Sequence, residues 1–125
     1  MSSRSMYQEE ILDHYKNPHN KGKLPEATHA HRAANPLCGD EIEMQMIIKD
    51  GIVSDVRFDG TGCAISVAAA SMLTDKLKGL SQSDAESLSK EDILEMLQIE
   101  IGPVRLKCAL LPLDAVREAL AEVKS

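Results

Sequence analysis

Residues 41–59 read EIEMQMIIKDGIVSDVRFD. Ile42, Met44, Met46 and Ile48 alternate with Glu41, Glu43, Gln45 and Lys49, the period of a strand with one face buried. Asp50-Gly51 follows, the pair that suits a two-residue type I′ turn because both positions need positive φ. The return strand turns Ile52, Val56 and Phe58 inward and Asp55, Arg57 and Asp59 outward. A β hairpin with an apolar and a polar face is therefore predicted.

On the C-terminal side, Gly60-Thr61-Gly62 breaks the sheet. The segment CAISVAAASMLTDKLK over residues 63–78 then predicts a helix of small residues closed by Gly79. Ser81 with Asp84, and Ser89 with Asp92, have the spacing of an N-cap and its acid at the third position, which predicts short helices at about 82–88 and 90–97. Gly102-Pro103 interrupts, and after Cys108 a last helix carries Leu113, Val116, Leu120 and Val123 at helical spacing. On the N-terminal side, Ser5 and Gln8 suggest a capping box for a helix from about Met6 to Lys16. That helix would bury Tyr7, Ile11 and Tyr15, with Leu12 beside them, and stop at Asn17-Pro18. Residues 19–37 read as a long connection with a short edge strand near Thr28 to Ala34. The order predicts an α+β fold: a small antiparallel three-stranded sheet with helices on one face, one domain over residues 1–125.

The composition limits the function. The chain has 14 Lys+Arg against 20 Asp+Glu and a net charge of -6, which offers phosphate backbones no basic stripe. No stretch has the length and apolarity of a membrane helix or signal peptide, so a cytoplasmic location is expected. Three cysteines without close pairs do not make a disulfide framework, and a reducing compartment keeps them as thiols. Dinucleotide, Walker A and G-x-S-x-G motifs are missing.

The cysteines carry the chemistry. Cys38 and Asp40 flank one glycine in Asn35-Pro36-Leu37-Cys38-Gly39-Asp40, so a thiol and a carboxylate can face one object. Cys63 is placed at a helix start, whose positive end favours thiolate, and Cys108 follows Arg105 and Lys107. Glycines beside Cys38 and Cys63 let backbone approach a ligand closely. Cys38, Asp40, Cys63 and Cys108 supply four ligands, enough for one tetrahedral zinc or for a [2Fe-2S] cluster, and their spacing does not choose. Asp40 is a hard ligand in a soft set, hence a weak and exchangeable corner. Lys107 could offset site charge or compete for Asp40. His14, His19, His29 and His31 show no pairing at metal spacing.

Four ordered motifs together resemble one family. Asp13-His14-Tyr15-Lys16-Asn17-Pro18, Asn35-Pro36-Leu37-Cys38-Gly39-Asp40, Gly60-Thr61-Gly62-Cys63-Ala64-Ile65-Ser66 and Pro103-Val104-Arg105-Leu106-Lys107-Cys108-Ala109 are similar to the iron-sulfur cluster assembly scaffolds, the group of IscU, SufU and NifU N-terminal domains. The resemblance implies that Cys38, Asp40, Cys63 and Cys108 assemble a transient [2Fe-2S] cluster from iron and sulfur. It implies a cysteine desulfurase that hands persulfide sulfur to Cys108, an electron donor, apo-protein recipients, and a homodimer involving Tyr7. The protein is expected to act as a non-enzymatic scaffold and sulfur acceptor. The alternative is a zinc-dependent sulfurtransferase partner of the desulfurase, with zinc at the resting site. Lys107 stands where IscU-type members carry histidine, as in SufU-type ones, yet the interval from Cys63 to Cys108 looks too short for the SufU insertion. Ile101-Gly102-Pro103-Val104-Arg105 matches the chaperone-recognition segment only in part.

Overall fold

The computed structural model describes residues 3–36, 39–98 and 101–122, with side chains from residue 9 onward except those of Val104 and Glu122. Expectations on the side chains of Ser5, Tyr7, Gln8 and Val104, and on Leu37, Cys38 and Val123, lie outside the described residues. The element order is α1 (Ser3–Lys16), β1 (His29–Asn35), β2 (Asp40–Lys49), β3 (Ile52–Thr61), α2 (Ala64–Leu77), α3 (Gln82–Glu86), α4 (Lys90–Leu97) and α5 (Pro103–Glu122). The three strands form one antiparallel sheet in the order β1-β2-β3. Helices α2 and α5 pack on the sheet, α5 over β1 and β2 and α2 over β2 and β3, while α1 lies on α2.

The hairpin forms as its residues dictate. Asp50 and Gly51 both take positive φ, +53° and +76°, and Ile42, Met44, Met46, Val56 and Phe58 are fully buried. Each such side chain contributes about 1.5–3 kcal/mol on burial. One position departs from the alternation. Ile47 pairs with Asp55 but Ile48 pairs with Val53, so Ser54 is an extra residue in β3. This bulge reverses the faces of the residues before it: Val53 is buried and Ile52, expected inward, is exposed. The outer edge of β3 is closed by loops on both halves. The Gly22 N–H donates to the Phe58 carbonyl and the Phe58 N–H to the Asn20 carbonyl, while the Gly79 N–H donates to Val53 and the Val53 N–H to Leu80. Such cover leaves β3 less open to edge pairing.

Three helices differ from their sequence reading. α1 begins at Ser3, before the expected start at Met6, so the Ser5 position lies inside it. It buries Ile11 and His14, one turn apart, and leaves Leu12 and Tyr15 exposed; burial of His14 is tolerated because its Nδ1 meets the Ser71 hydroxyl at 2.7 Å. α5 begins at Pro103 and takes in Cys108. Proline suits the first helical position, where its missing N–H has no intrahelical partner to lose. α3 is shorter than expected and ends at Glu86. The cap assignments hold: Ser81 accepts from the Asp84 N–H, and Ser89 and Asp92 form a reciprocal capping box. Asp92 lies below the usual carboxylate range because the Ser89 N–H and then its hydroxyl donate to it. Gly60 belongs to β3, opposite Ile42, instead of ending the sheet; a Cβ there would stand 2.1 Å from the Glu41 carbonyl oxygen.

Candidate metal centre

Three elements meet at one end of the sheet. Asp40 is the first residue of β2 and Thr61 the last of β3, and Glu41 pairs with Thr61. The chain then passes through Gly62 to Cys63, the N-cap of α2, whose φ of -71° and ψ of 170° are extended. Cys108 arrives from the side on α5, which crosses β1 and β2. Asp40 and Cys108 are each 4% exposed, whereas Cys63 is partly open. One ligand atom each from Asp40, Cys63 and Cys108 lies within 4.8 Å of the other two. Atoms bound to one tetrahedral zinc stand about 3.3–3.8 Å apart, a span that fits inside this grouping.

The surroundings of Asp40 favour its ionised form. Burial pushes the Asp40 carboxyl up, but donation from the Ser66 hydroxyl, the Cys63 backbone N–H and the Cys63 and Cys108 thiols outweighs it and holds the group below the usual range. The Cys63 N–H stands 3.4 Å from Asp40 Oδ2. Ser66 has one proton for two acceptors, the Cys63 carbonyl at 3.1 Å and the Asp40 carboxylate. The charged acceptor is the stronger of the two. Ser66 is fully buried, and in the sequence it stands out only as part of the Gly60–Ser66 motif. No spacing rule points to it, because its partner is 26 positions away in the chain.

Gly62 makes this approach possible. A Cβ there would sit 2.2 Å from Ser66 Oγ and 3.1 Å from Asp40 Cγ. The space beside this glycine is thus filled by the site's own side chains. Gly39 takes φ of +75°, and its N–H closes a turn onto the Asn35 carbonyl at 2.8 Å. Cys38, the first cysteine assigned from sequence, lies outside the described residues. Lys107 is exposed and lines a cleft of about 310 Å³ with Asn35, Pro36, Leu110, Leu111 and Asp114. Burial pushes the Asp114 carboxyl up. Within α5, Pro112 has no N–H to offer the carbonyl of Cys108 one turn earlier.

The histidines correct the sequence reading. His14 and His19, expected to be unpaired, have ring centroids 4.4 Å apart, and His19 Nδ1 is 2.6 Å from Asp75 Oδ2. Burial, then the neighbouring His19, pushes the His14 imidazole below its ordinary value. His29 is also lowered by burial.

Comparison with known proteins gives a consistent result. The family model described as NifU-like N terminal domain matches residues 6–125. The iron-sulfur cluster assembly scaffold protein IscU of Escherichia coli (strain K12) is 36% identical over 123 residues, covering 95% of this chain and 94% of that protein. The zinc-dependent sulfurtransferase SufU of Bacillus subtilis (strain 168) is 37% identical over 135 positions, covering 94% of this chain and 91% of that protein. That alignment is longer than the 125-residue chain, so SufU carries residues this chain lacks. A solved structure of a nitrogen-fixing NifU-like protein (N-terminal) from Brucella abortus shares the fold, with a TM-score of 0.79 at 21% identity over 98% of this chain and 96% of that one.

Proposed function

We propose that this chain, which belongs to the family of NifU-like N terminal domains, is a scaffold on which a [2Fe-2S] cluster is built and from which it is passed to apo-proteins. The observation that carries the reading is the convergence of Asp40, Cys63 and Cys108 within 4.8 Å at the sheet's end. Cys38, two residues before Asp40 in sequence, completes the set. Iron and sulfur are the cargo. A desulfurase persulfide gives its terminal sulfur to the Cys108 thiolate, releasing the desulfurase thiolate. Two electrons from a donor then break the new S–S bond and release sulfide beside iron held by the thiolates and Asp40.

The residues divide the work. Cys63, partly open at the helix cap, receives metal from solvent. Cys108, buried on α5, is the sulfur acceptor, and Lys107 beside it offsets the charge of the incoming persulfide. Asp40 is the weak corner: a hard carboxylate among soft thiolates, kept ionised by its donors. The domain works over its whole length in the cytoplasm, and pairing of two chains through α1 and Tyr7 is part of the reading. Among the described residues no helix is long and apolar enough to cross a membrane.

A second reading has its own support, the similarity to zinc-dependent SufU. Three cysteines and one aspartate satisfy tetrahedral zinc, and bound zinc would hold the thiols deprotonated. In that role Cys108 accepts sulfur and no cluster forms. Anaerobic incubation with ferrous iron, cysteine and a desulfurase separates the two. Cluster absorption in the visible region that Cys63→Ser abolishes supports the scaffold; desulfurase stimulation by the zinc form, with no cluster absorption, supports the sulfurtransferase.

A further inference from the structure

Twelve residues beyond Cys63, on the exposed flank of the same helix, a second group of ligand-bearing side chains converges. His14 comes from the last turn of α1, His19 from the loop that follows Asn17-Pro18, and Asp75 from α2. One ligand atom of each lies within 4.8 Å of the others. At 1.5 Å per residue, Asp75 stands about 18 Å along α2 from Cys63, so the two groups cannot share an ion.

We propose that His14, His19 and Asp75 form a second metal site, taking a divalent first-row transition-metal ion such as zinc or iron(II). Two imidazoles and one carboxylate are a borderline donor set, suited to these ions and unlike the thiolate set at the sheet's end. His14 and Asp75 are each oriented by a further group, as built metal sites require, and His19 is anchored through its backbone. The Ser71 hydroxyl holds His14 Nδ1 at 2.7 Å and accepts the His19 backbone N–H at 2.7 Å. Asn20 donates to Asp75 Oδ1 at 2.9 Å and is itself held by Lys78 at 2.6 Å. His14 is left to ligate through Nε2, the nitrogen that Ser71 does not hold.

Little rearrangement is needed. His19 Nδ1 and Asp75 Oδ2, 2.6 Å apart, must open to about 3.3 Å around a tetrahedral ion. Both side chains are about half exposed, at 48% and 47%, and are free to shift while water fills the remaining position. The ion would join α1 and its following loop to α2, and so tie down the segment that covers the edge of β3.

The test uses the untagged full chain with Cys38, Cys63 and Cys108 all changed to serine, which removes the thiolate site. Cobalt(II) is the probe. The expected result is one bound cobalt(II) with ligand-field bands and no sulfur charge-transfer band, its affinity lowered at least about tenfold by His19→Gln and by Asp75→Asn. No binding, or affinity unchanged by either substitution, overturns the proposal. If the serine variant fails to fold, histidine NMR of the wild-type chain takes its place. Zinc beyond the first equivalent should shift the rings of both His14 and His19, and unmoved rings overturn the site.

Discussion

The backbone N–H of Cys63 faces Asp40 Oδ2 across 3.4 Å, joining the cap of α2 to the first residue of β2. The same carboxylate that would ligate metal therefore already serves the fold. It accepts from the helix start, from Ser66 and from two thiols, and metal binding there would exchange the thiol donations for coordination. Assembly at such a site would couple directly to the join between sheet and helix.

Gly62 is the first test of that join. Gly62→Ala drives a methyl to within 2.2 Å of Ser66 Oγ, and the strain should cost about 1–3 kcal/mol along with metal uptake. Adding Ser66→Ala removes the clashing atom, so part of the stability should return. Denaturant midpoints of the four proteins in a double-mutant cycle measure this coupling; additive losses would show that the clash is relieved elsewhere.

The pH dependence follows from Asp40. Its folded pKa lies below the unfolded value of about 3.9, so the ionised form adds stability that is present above that value and lost as pH falls through the folded pKa. Asp40→Asn has nothing to titrate there. In metal-free protein, the stability gap between wild type and Asp40→Asn should be constant near neutrality and shift against wild type below about pH 4. Urea midpoints across that range check it, and a gap independent of pH would contradict the account.

Accessibility separates the two described thiols. Cys63 is partly open and Cys108 buried, so iodoacetamide should alkylate Cys63 faster in the metal-free protein, with Cys108 reacting only on local opening. Peptide mapping over a time course reads both. Addition of desulfurase should raise the rate at Cys108 if docking opens that face for sulfur delivery, and equal rates in the free protein would refute the burial argument.

Asp40→Ala addresses release. Removing the exchangeable corner should lengthen the life of an assembled cluster in oxygen and slow its transfer to an apo-protein. Visible absorption follows both processes. Faster loss with unchanged transfer would assign Asp40 a merely stabilising role.

Legibility in the sequence followed physical range. The hairpin was readable because alternation and the positive-φ pair at Asp50-Gly51 act locally, and the caps of α3 and α4 because Ser81 and Ser89 reach only three residues onward. Ile52 was misread because the bulge at Ser54 is fixed by pairing with Ile47, not by alternation. The start of α5 was misread because Gly102-Pro103 suggests a break, although proline is at home in a first turn. Asp40, Cys63 and Cys108 could be proposed together through motifs and chemistry. Ser66 and the meeting of His14 and His19 with Asp75 could not, since their partners lie between 26 and 61 positions away and only tertiary packing unites them.

The central claim is that this chain builds a cluster and gives it up. Mössbauer spectra of the anaerobically reconstituted protein, followed by timed transfer to an apo-ferredoxin, test it most directly. The account predicts a [2Fe-2S] signal that disappears from this chain as the ferredoxin signal grows. A protein that holds only zinc after reconstitution, or forms a cluster that never leaves, would contradict it.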